Sequence, residues 1–474
     1  MKVKFIIVFL FFTISLFGQK QVFTLQECID SALTNNIQFL NKKLTVAGND
    51  LNLKQSKYSR VPTLNGNIGE GASQGRNFGS TVSGGLNVTD YNTSLGLSTS
   101  VTLFNSFKIN NTIRQNEDIT KASQYDVEAL KNTIITNIIN AYLQVLYAYE
   151  NKSIAEEQVK SSASQVVFTQ NQLNAGKVAE PSLLQIKSQH ANDILSLVNA
   201  KSSIMINKIT LFQLMQIPAD DSIDFMKMNI DSILLANSKL GDPNSRSDIY
   251  SGALNVLPEI KSSQLGINSA QYGLKVAKAD RYPKLSFSAG ISTNYYSLYK
   301  LYSDNFIATN IPIGYLQGSP SQKVFSLTSE TINYPFGQQL SDNLLKSAML
   351  TLTIPIFNGY TVENNIRHQK LNINSARLND QTTKNAVRME IEQAYTQYMT
   401  ARDQFNASSE QLQYEEKTYH SVTARFKLGM ATPTDLQVEK ANYVHSEVNL
   451  LESKYQLLYA LKLLEYFQTG IIKF

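Results

Sequence analysis

The stretch "LSTSVTLFNSFKINNTIRQ", residues 97–115, returns 253 positions later as "LTLTIPIFNGYTVENNIRH", residues 350–368. Both alternate apolar and small polar residues, reach Phe-Asn, and pass directly into a polar segment of helical character. Leu95, Leu97, Thr99, Val101 and Leu103 share one strand face, and Gly96, Ser98, Ser100 and Thr102 the other. In the later copy Leu350, Leu352, Ile354 and Ile356 oppose Met349, Thr351, Thr353 and Pro355. Leu285, Phe287, Ala289 and Ile291 likewise oppose Ser286, Ser288 and Gly290. Alternating segments of about ten residues between Gly/Ser/Asn-rich loops suit a lipid-facing barrel strand. A soluble sheet with one wet face alternates in the same way, and alternation taken alone favours it.

At Asn105 and Asn358 the period turns helical, and each asparagine can cap the first free amides. Ile134, Ile138, Ala141, Val145 and Ala148 form one stripe, and Ile135, Ile139, Tyr142, Leu146 and Tyr149 a second beside it. Two adjacent stripes predict packing on two sides, as in a bundle or a closed ring of helices. No proline or glycine interrupts residues 105–174, which predicts a helix of roughly 100 Å at 1.5 Å per residue. Gly176 then stops it. A shorter helix follows Pro181 to about Leu214, and another precedes the first strand, from Leu25 to Arg60.

The 253-residue offset extends to Ala141-Tyr142 with Ala394-Tyr395 and to Gly176 with Gly429. Upstream, "SRVPTL" around Pro62 matches "DRYPKL" around Pro283 at an offset of 221, so the second copy carries 32 more residues before its junction. The expected organisation is a signal peptide over 1–18, a first repeat over 19–218, an equatorial linker over 219–249 and a second repeat over 250–474. Each repeat reads as half helix, strand, strand, long helix, tight turn, half helix.

"MKVKFIIVFLFFTISLFG" has the basic start, short apolar run and small final residue of a secretory signal, and the run is too short to span a bilayer. Removing it takes away Lys2 and Lys4 and no acid, so a formal charge of +5 becomes +3, too weak for a nucleic-acid partner. The lone Cys28 has no partner for an internal disulfide and reads as a core thiol. His190, His368, His420 and His445 lack metal spacing, and no nucleophile motif or phosphate-binding glycine loop occurs, so neither catalysis nor a cofactor is expected. No later apolar run suits a membrane helix, so membrane entry would require strands. Four strands per chain cannot close a barrel, two chains give one filled by side chains, and three give twelve strands around a conduit.

With "TLQECIDSALTNN", the P-x-L starts after Pro62 and Pro283, the junctions Phe104-Asn105 and Phe357-Asn358, and the turns "LNAGKVAEPSLLQ" and "FKLGMATPTDLQ", the mature chain resembles the TolC family of outer-membrane efflux proteins. The resemblance rests on order and duplication rather than on any one motif. It implies an α+β membrane protein of the Gram-negative outer membrane. The form implied is a homotrimeric, twelve-stranded transmembrane β-barrel continuous with an antiparallel α-helical coiled-coil tunnel in the periplasm. It also implies outer-membrane lipid as surroundings, a periplasmic adaptor, and an inner-membrane pump of the RND, ABC or MFS type.

Matched onto the family's second turn, Phe426, Asp435 and Val438 take the positions of the periplasmic gate. Val438 stands where a second aspartate is usual and Ala431 where a basic residue is usual. Asp435 reads either as a ring of three carboxylates or as a first-turn acid stabilising a helix start, and the two are compatible. Gly176, Lys177, Val178, Gly429, Met430 and Ala431 form two exposed tips with few charges, suited to an adaptor. Phe107 and Tyr360 are expected in an interfacial girdle, whereas Tyr295, Tyr296, Tyr299 and Tyr302 suit a girdle or loop packing. A structural or adhesive coiled-coil envelope protein is the alternative function. It explains the helices but not the strands.

Overall fold

The computed structural model describes residues 22–77, 86–220, 222–238 and 245–472; the expected signal peptide lies outside them. The elements in order are β1 (Val22–Phe23), α1 (Leu25–Asn35), α2 (Ile37–Tyr58), β2 (Thr63–Asn77), β3 (Leu86–Phe104), α3 (Lys108–Asn174), α4 (Glu180–Met215), β4 (Asp224–Phe225), α5 (Ile230–Ser238), α6 (Arg246–Val256), α7 (Pro258–Ala279), β5 (Lys284–Tyr296), β6 (Lys300–Leu316), β7 (Ser319–Asn333), α8 (Phe336–Asp342), β8 (Leu345–Thr353), α9 (Thr361–Lys427) and α10 (Pro433–Thr469). They fall into two compact units, one of residues 22–50, 117–269 and 373–472, the other of 51–116 and 270–372.

The first unit is helical apart from β1 and β4, which pair in parallel. Cys28, Ile138, Tyr142, Val145, Leu211, Met215 and Phe225 pack into one core. Tyr142 Oη donates to the Met226 carbonyl at 2.7 Å, which satisfies its buried hydroxyl. Burial pushes the Cys28 thiol up to about 12, so it stays protonated and inert. A second core joins Ile249, Ala253 and Ile260 to Val387, Ile391, Leu464 and Phe467. The segment read as a linker contributes β4 and α5, with Ile223, Phe225 and Ile230 buried.

Two helical expectations need correction. The helix read from Leu25 to Arg60 breaks at Asn36, whose backbone is extended. The Asn36 Oδ1 accepts from the Phe39 amide at 3.0 Å and so starts α2 afresh. The strand-to-helix junctions also contain a turn that the sequence reading omitted. Ser106 and Phe107 are left-handed (φ 52° and 62°), as are Gly359 and Tyr360 (φ 59° and 68°) at the same 253-residue offset. Helices therefore begin at Lys108 and Thr361 rather than at the asparagines. Asn105 Oδ1 accepts from the Ile109 amide at 3.4 Å, while Asn358 supplies its carbonyl to the Thr361 amide at 3.2 Å.

The second unit holds an antiparallel sheet in the order β2-β3-β5-β8 and a separate β6-β7 hairpin. The register puts Ile68 opposite Leu95, Leu97 opposite Ile291, Val101 opposite Phe287, and Phe287 opposite Leu350. One face consequently gathers Leu64, Ile68, Leu95, Leu97, Phe287, Ile291 and Leu350, interrupted by Thr99, Thr293 and Lys346. The other presents Asn65, Ser98, Ser100, Ser288, Gly290 and Ser347. The 32 extra residues of the second half fall where β6 and β7 form their hairpin. At its foot the buried Gln339 amide bonds both backbone groups of Tyr296, accepting at 3.0 Å and donating at 3.1 Å.

Candidate functional site

The helical tips are built from the same device twice. At the end of α3 the Gly176 amide donates to the Leu173 carbonyl and the Lys177 amide to Gln172, each at 2.9 Å. At the end of α9 Gly429 donates to Phe426 at 3.0 Å and Met430 to Arg425 at 2.8 Å. This double bond pattern around a left-handed residue satisfies the last carbonyls of a helix, and glycine adopts the conformation without strain. The φ angles are 70° at Gly176 and 77° at Gly429.

The two turns then part. Ala179 starts α4 with no side-chain cap. Thr432 starts α10 with a full capping box: its Oγ1 accepts from the Asp435 amide at 3.2 Å, and Asp435 Oδ2 accepts from the Thr432 amide at 2.8 Å. Those bonds from Thr432 hold the Asp435 carboxyl below the usual carboxylate range, with Arg425 adding to the effect. Asp435 is thus an exposed anion already engaged in starting its helix, and Val438 on the next turn is exposed too. Phe426 is instead buried, packed with Ile186 and Leu436 and 6.3 Å from the Phe168 ring, so it braces the turn from inside.

Lys177 and Met430 are exposed, whereas Val178 and Ala431 are half-buried, a correction to their reading as exposed tip residues. Ala431 packs against the Phe426 cluster, which an alanine can join and a long basic residue could not. At the junctions Phe104 and Phe107 meet edge to face at 6.0 Å, and Phe104, Phe107, Phe357 and Tyr360 are all exposed. The Tyr296 ring lies tilted 4.8 Å from Tyr299 and Tyr295 meets Phe336 edge to face at 4.9 Å, while Tyr302 is open to solvent.

Sequence reasoning missed a buried ion pair close to the tips. Lys440 Nζ of α10 lies 2.5 Å from Asp193 Oδ2 of α4 and 3.3 Å from the Gln158 carbonyl of α3. Both side chains are almost fully buried. Nearby, the Ser162 hydroxyl and His190 Nδ1 share a hydrogen bond of 3.0 Å. The only available signal was the charge on an otherwise helix-packing face, which a solvated position would show equally.

The exposed apolar sheet face is the other candidate surface. Ile68 is 82 % exposed and Leu350 63 %, and Leu64, Leu97 and Leu352 are also open. In water such a face marks an interaction surface or a membrane surface. No helix among the described residues is long and apolar enough to cross a membrane.

Residues 28–215 and 249–466 match the model of the family described as outer membrane efflux protein. The chain belongs to that family. Its place is the outer membrane, with the helical part forming a periplasmic tunnel, and its class is that of efflux channels. It is 20 % identical over 442 residues to outer membrane efflux protein BepC of Brucella suis biovar 1 (strain 1330), covering 92 % of this chain and 83 % of that one. It is 19 % identical to toxin and drug export protein A of Aggregatibacter actinomycetemcomitans, covering 92 % and 84 %. Among solved structures, the outer membrane protein VceC of Vibrio cholerae superposes with a TM-score of 0.71 at 16 % identity, covering 94 % of this chain and 96 % of that one. With a TM-score of 0.69, CusC shares the fold over 94 % and 91 %.

Proposed function

We propose that this chain is one third of a passive export duct. Three copies would close a twelve-stranded barrel, each supplying two strands per repeat, continuous with an antiparallel helical tunnel. Substrate would arrive from an inner-membrane pump through an adaptor docked on the helical tips. The observation that carries this reading is the four-stranded sheet. Among the described residues β2 and β8 each pair on one side only, leaving two open edges. Its faces differ as lipid and aqueous lumen require, and closing the ring with further copies removes the edges. α3 and α9 have residues in both units, which suits a tunnel continuous with a barrel.

In this reading Phe104, Phe107, Phe357 and Tyr360 belong to the interfacial aromatic girdle. Three Asp435 carboxylates would ring the inner end, with their charge preserved by the capping bonds. Gly176, Lys177, Gly429 and Met430 form the surface offered to the adaptor's helices. Two measurements test the proposal. Purified protein added to a planar bilayer should give discrete, cation-preferring conductance steps, and a photo-crosslinker at Lys177 should capture a periplasmic adaptor in cells. A protein giving no conductance, or a crosslinker capturing nothing, would contradict the respective half.

A further inference from the structure

Within the helical unit a cavity of about 510 Å³ lies among α3, α9, α10 and the first turn of α7. That volume falls within the range of sites for drug-sized ligands. Its apolar wall includes Tyr466 and Phe467, whose rings lie 5.3 Å apart, together with Leu463. Thr133 and Thr136 line it from α3, their hydroxyls donating to the Ala129 and Asn132 carbonyls. Two acids line it, Glu259 from α7 and Glu390 from α9, and the lining contains no lysine, arginine or histidine.

Glu259 Oε2 is shut off from solvent and has no hydrogen-bond partner. Burial raises the Glu259 carboxyl, and the neighbouring Glu390 charge raises it further. Burial raises Glu390 too. Lys384 is held by Asp380 at 2.7 Å and Lys462 by Glu465 at 2.9 Å. A half-buried Glu259 and an exposed Glu390 of like charge, beside aromatic rings and with no basic side chain in the lining, favour a positive guest.

We infer that this cavity is a binding site for a drug-sized organic cation carrying an aromatic group. The ammonium would sit between Glu259 and Glu390, and the aromatic part against Tyr466 and Phe467. The described residues contain no group of three or more His, Cys, Asp or Glu side chains that could hold a metal ion. The assignment rests on residues of the helical unit alone and does not depend on the duct reading.

The test uses the full chain purified in detergent at neutral pH, titrated calorimetrically with 1-naphthylmethylammonium and, in parallel, with neutral 1-naphthylmethanol. Uptake by protein-free micelles is subtracted. The cation should bind saturably, one per chain, and at least tenfold more tightly than the alcohol. Glu259→Gln and Glu390→Gln should each weaken cation binding at least tenfold while leaving alcohol binding and helical content unchanged. Acidification should also release the cation, starting above the pH at which a free glutamate protonates, because Glu259 and Glu390 are the charged groups lining the site. Equal affinity for cation and alcohol, absence of saturable binding, or wild-type affinity in both folded variants would overturn the assignment. The comparison of the two ligands on the unmodified protein decides the matter even if a variant fails to fold.

Discussion

Lys187 and Lys440 each stand eleven residues after a tip glycine, yet Lys187 is exposed and Lys440 is buried against Asp193. The same contrast runs through both tips. The turn from α3 to α4 has no side-chain cap, whereas the turn from α9 to α10 has a capping box and a buried Phe426. The glycine bonds that end each long helix are nonetheless the same in the two tips. The shape of the turn is thus the same in both copies, while the capping box belongs to the second alone and the buried ion pair joins α10 to α4.

That comparison can be broken most severely at Lys440. Lys440→Met leaves Asp193 buried without its partner and should destabilise the folded chain by about 3–5 kcal/mol, read by thermal or denaturant melting. Lys187→Met, at the exposed counterpart, should change stability by less than about 0.5 kcal/mol. Equal effects would show that the two copies are fastened alike.

Next come the glycines. Nothing lies within 4 Å of a β-carbon built at Gly176 or Gly429, so a side chain there meets open space and only the backbone objects. Gly429→Trp should cost about 1–2 kcal/mol of local strain. With a bulky ring on the proposed docking surface, it should abolish export while assembly and membrane insertion persist. Export at the wild-type level would remove the tips from the docking surface.

A smaller effect is expected at the caps. Thr432→Ala should lose about 1 kcal/mol, and Ala179→Thr should recover part of that amount in the first tip. The Asp435 contribution has a defined pH dependence. Its folded-state value is lowered, so its stabilisation is present above the ordinary aspartate value near 3.8 and disappears as pH falls through the folded value. Asp435→Asn keeps an acceptor for the Thr432 amide but removes the charge, so cation preference in bilayers should fall with little loss of stability. Unchanged selectivity would leave Asp435 only its helix-starting role.

Much of this architecture was legible in the sequence because it rests on local chemistry. Alternation marked β3, β5 and β8, and uninterrupted 3.6-residue stripes marked the long helices. Gly176, Gly429 and the prolines after them marked the turns. Reading stopped where structure depends on backbone conformations that residue type does not favour. Ser106, Phe107 and Tyr360 adopt left-handed angles without being glycine, so the junction turn left no signature, and Asn36 looked like any polar helix residue. The pairing of Asp193 with Lys440 across 247 residues had no local signal at all.

In the proposed duct the four-stranded sheet is a fragment of a ring made from copies of this chain. The mass of the purified, folded protein in detergent, measured by light scattering with the detergent contribution subtracted, tests it most directly. The account predicts three chains per particle. A stable, folded particle containing one chain would leave both sheet edges open and contradict it.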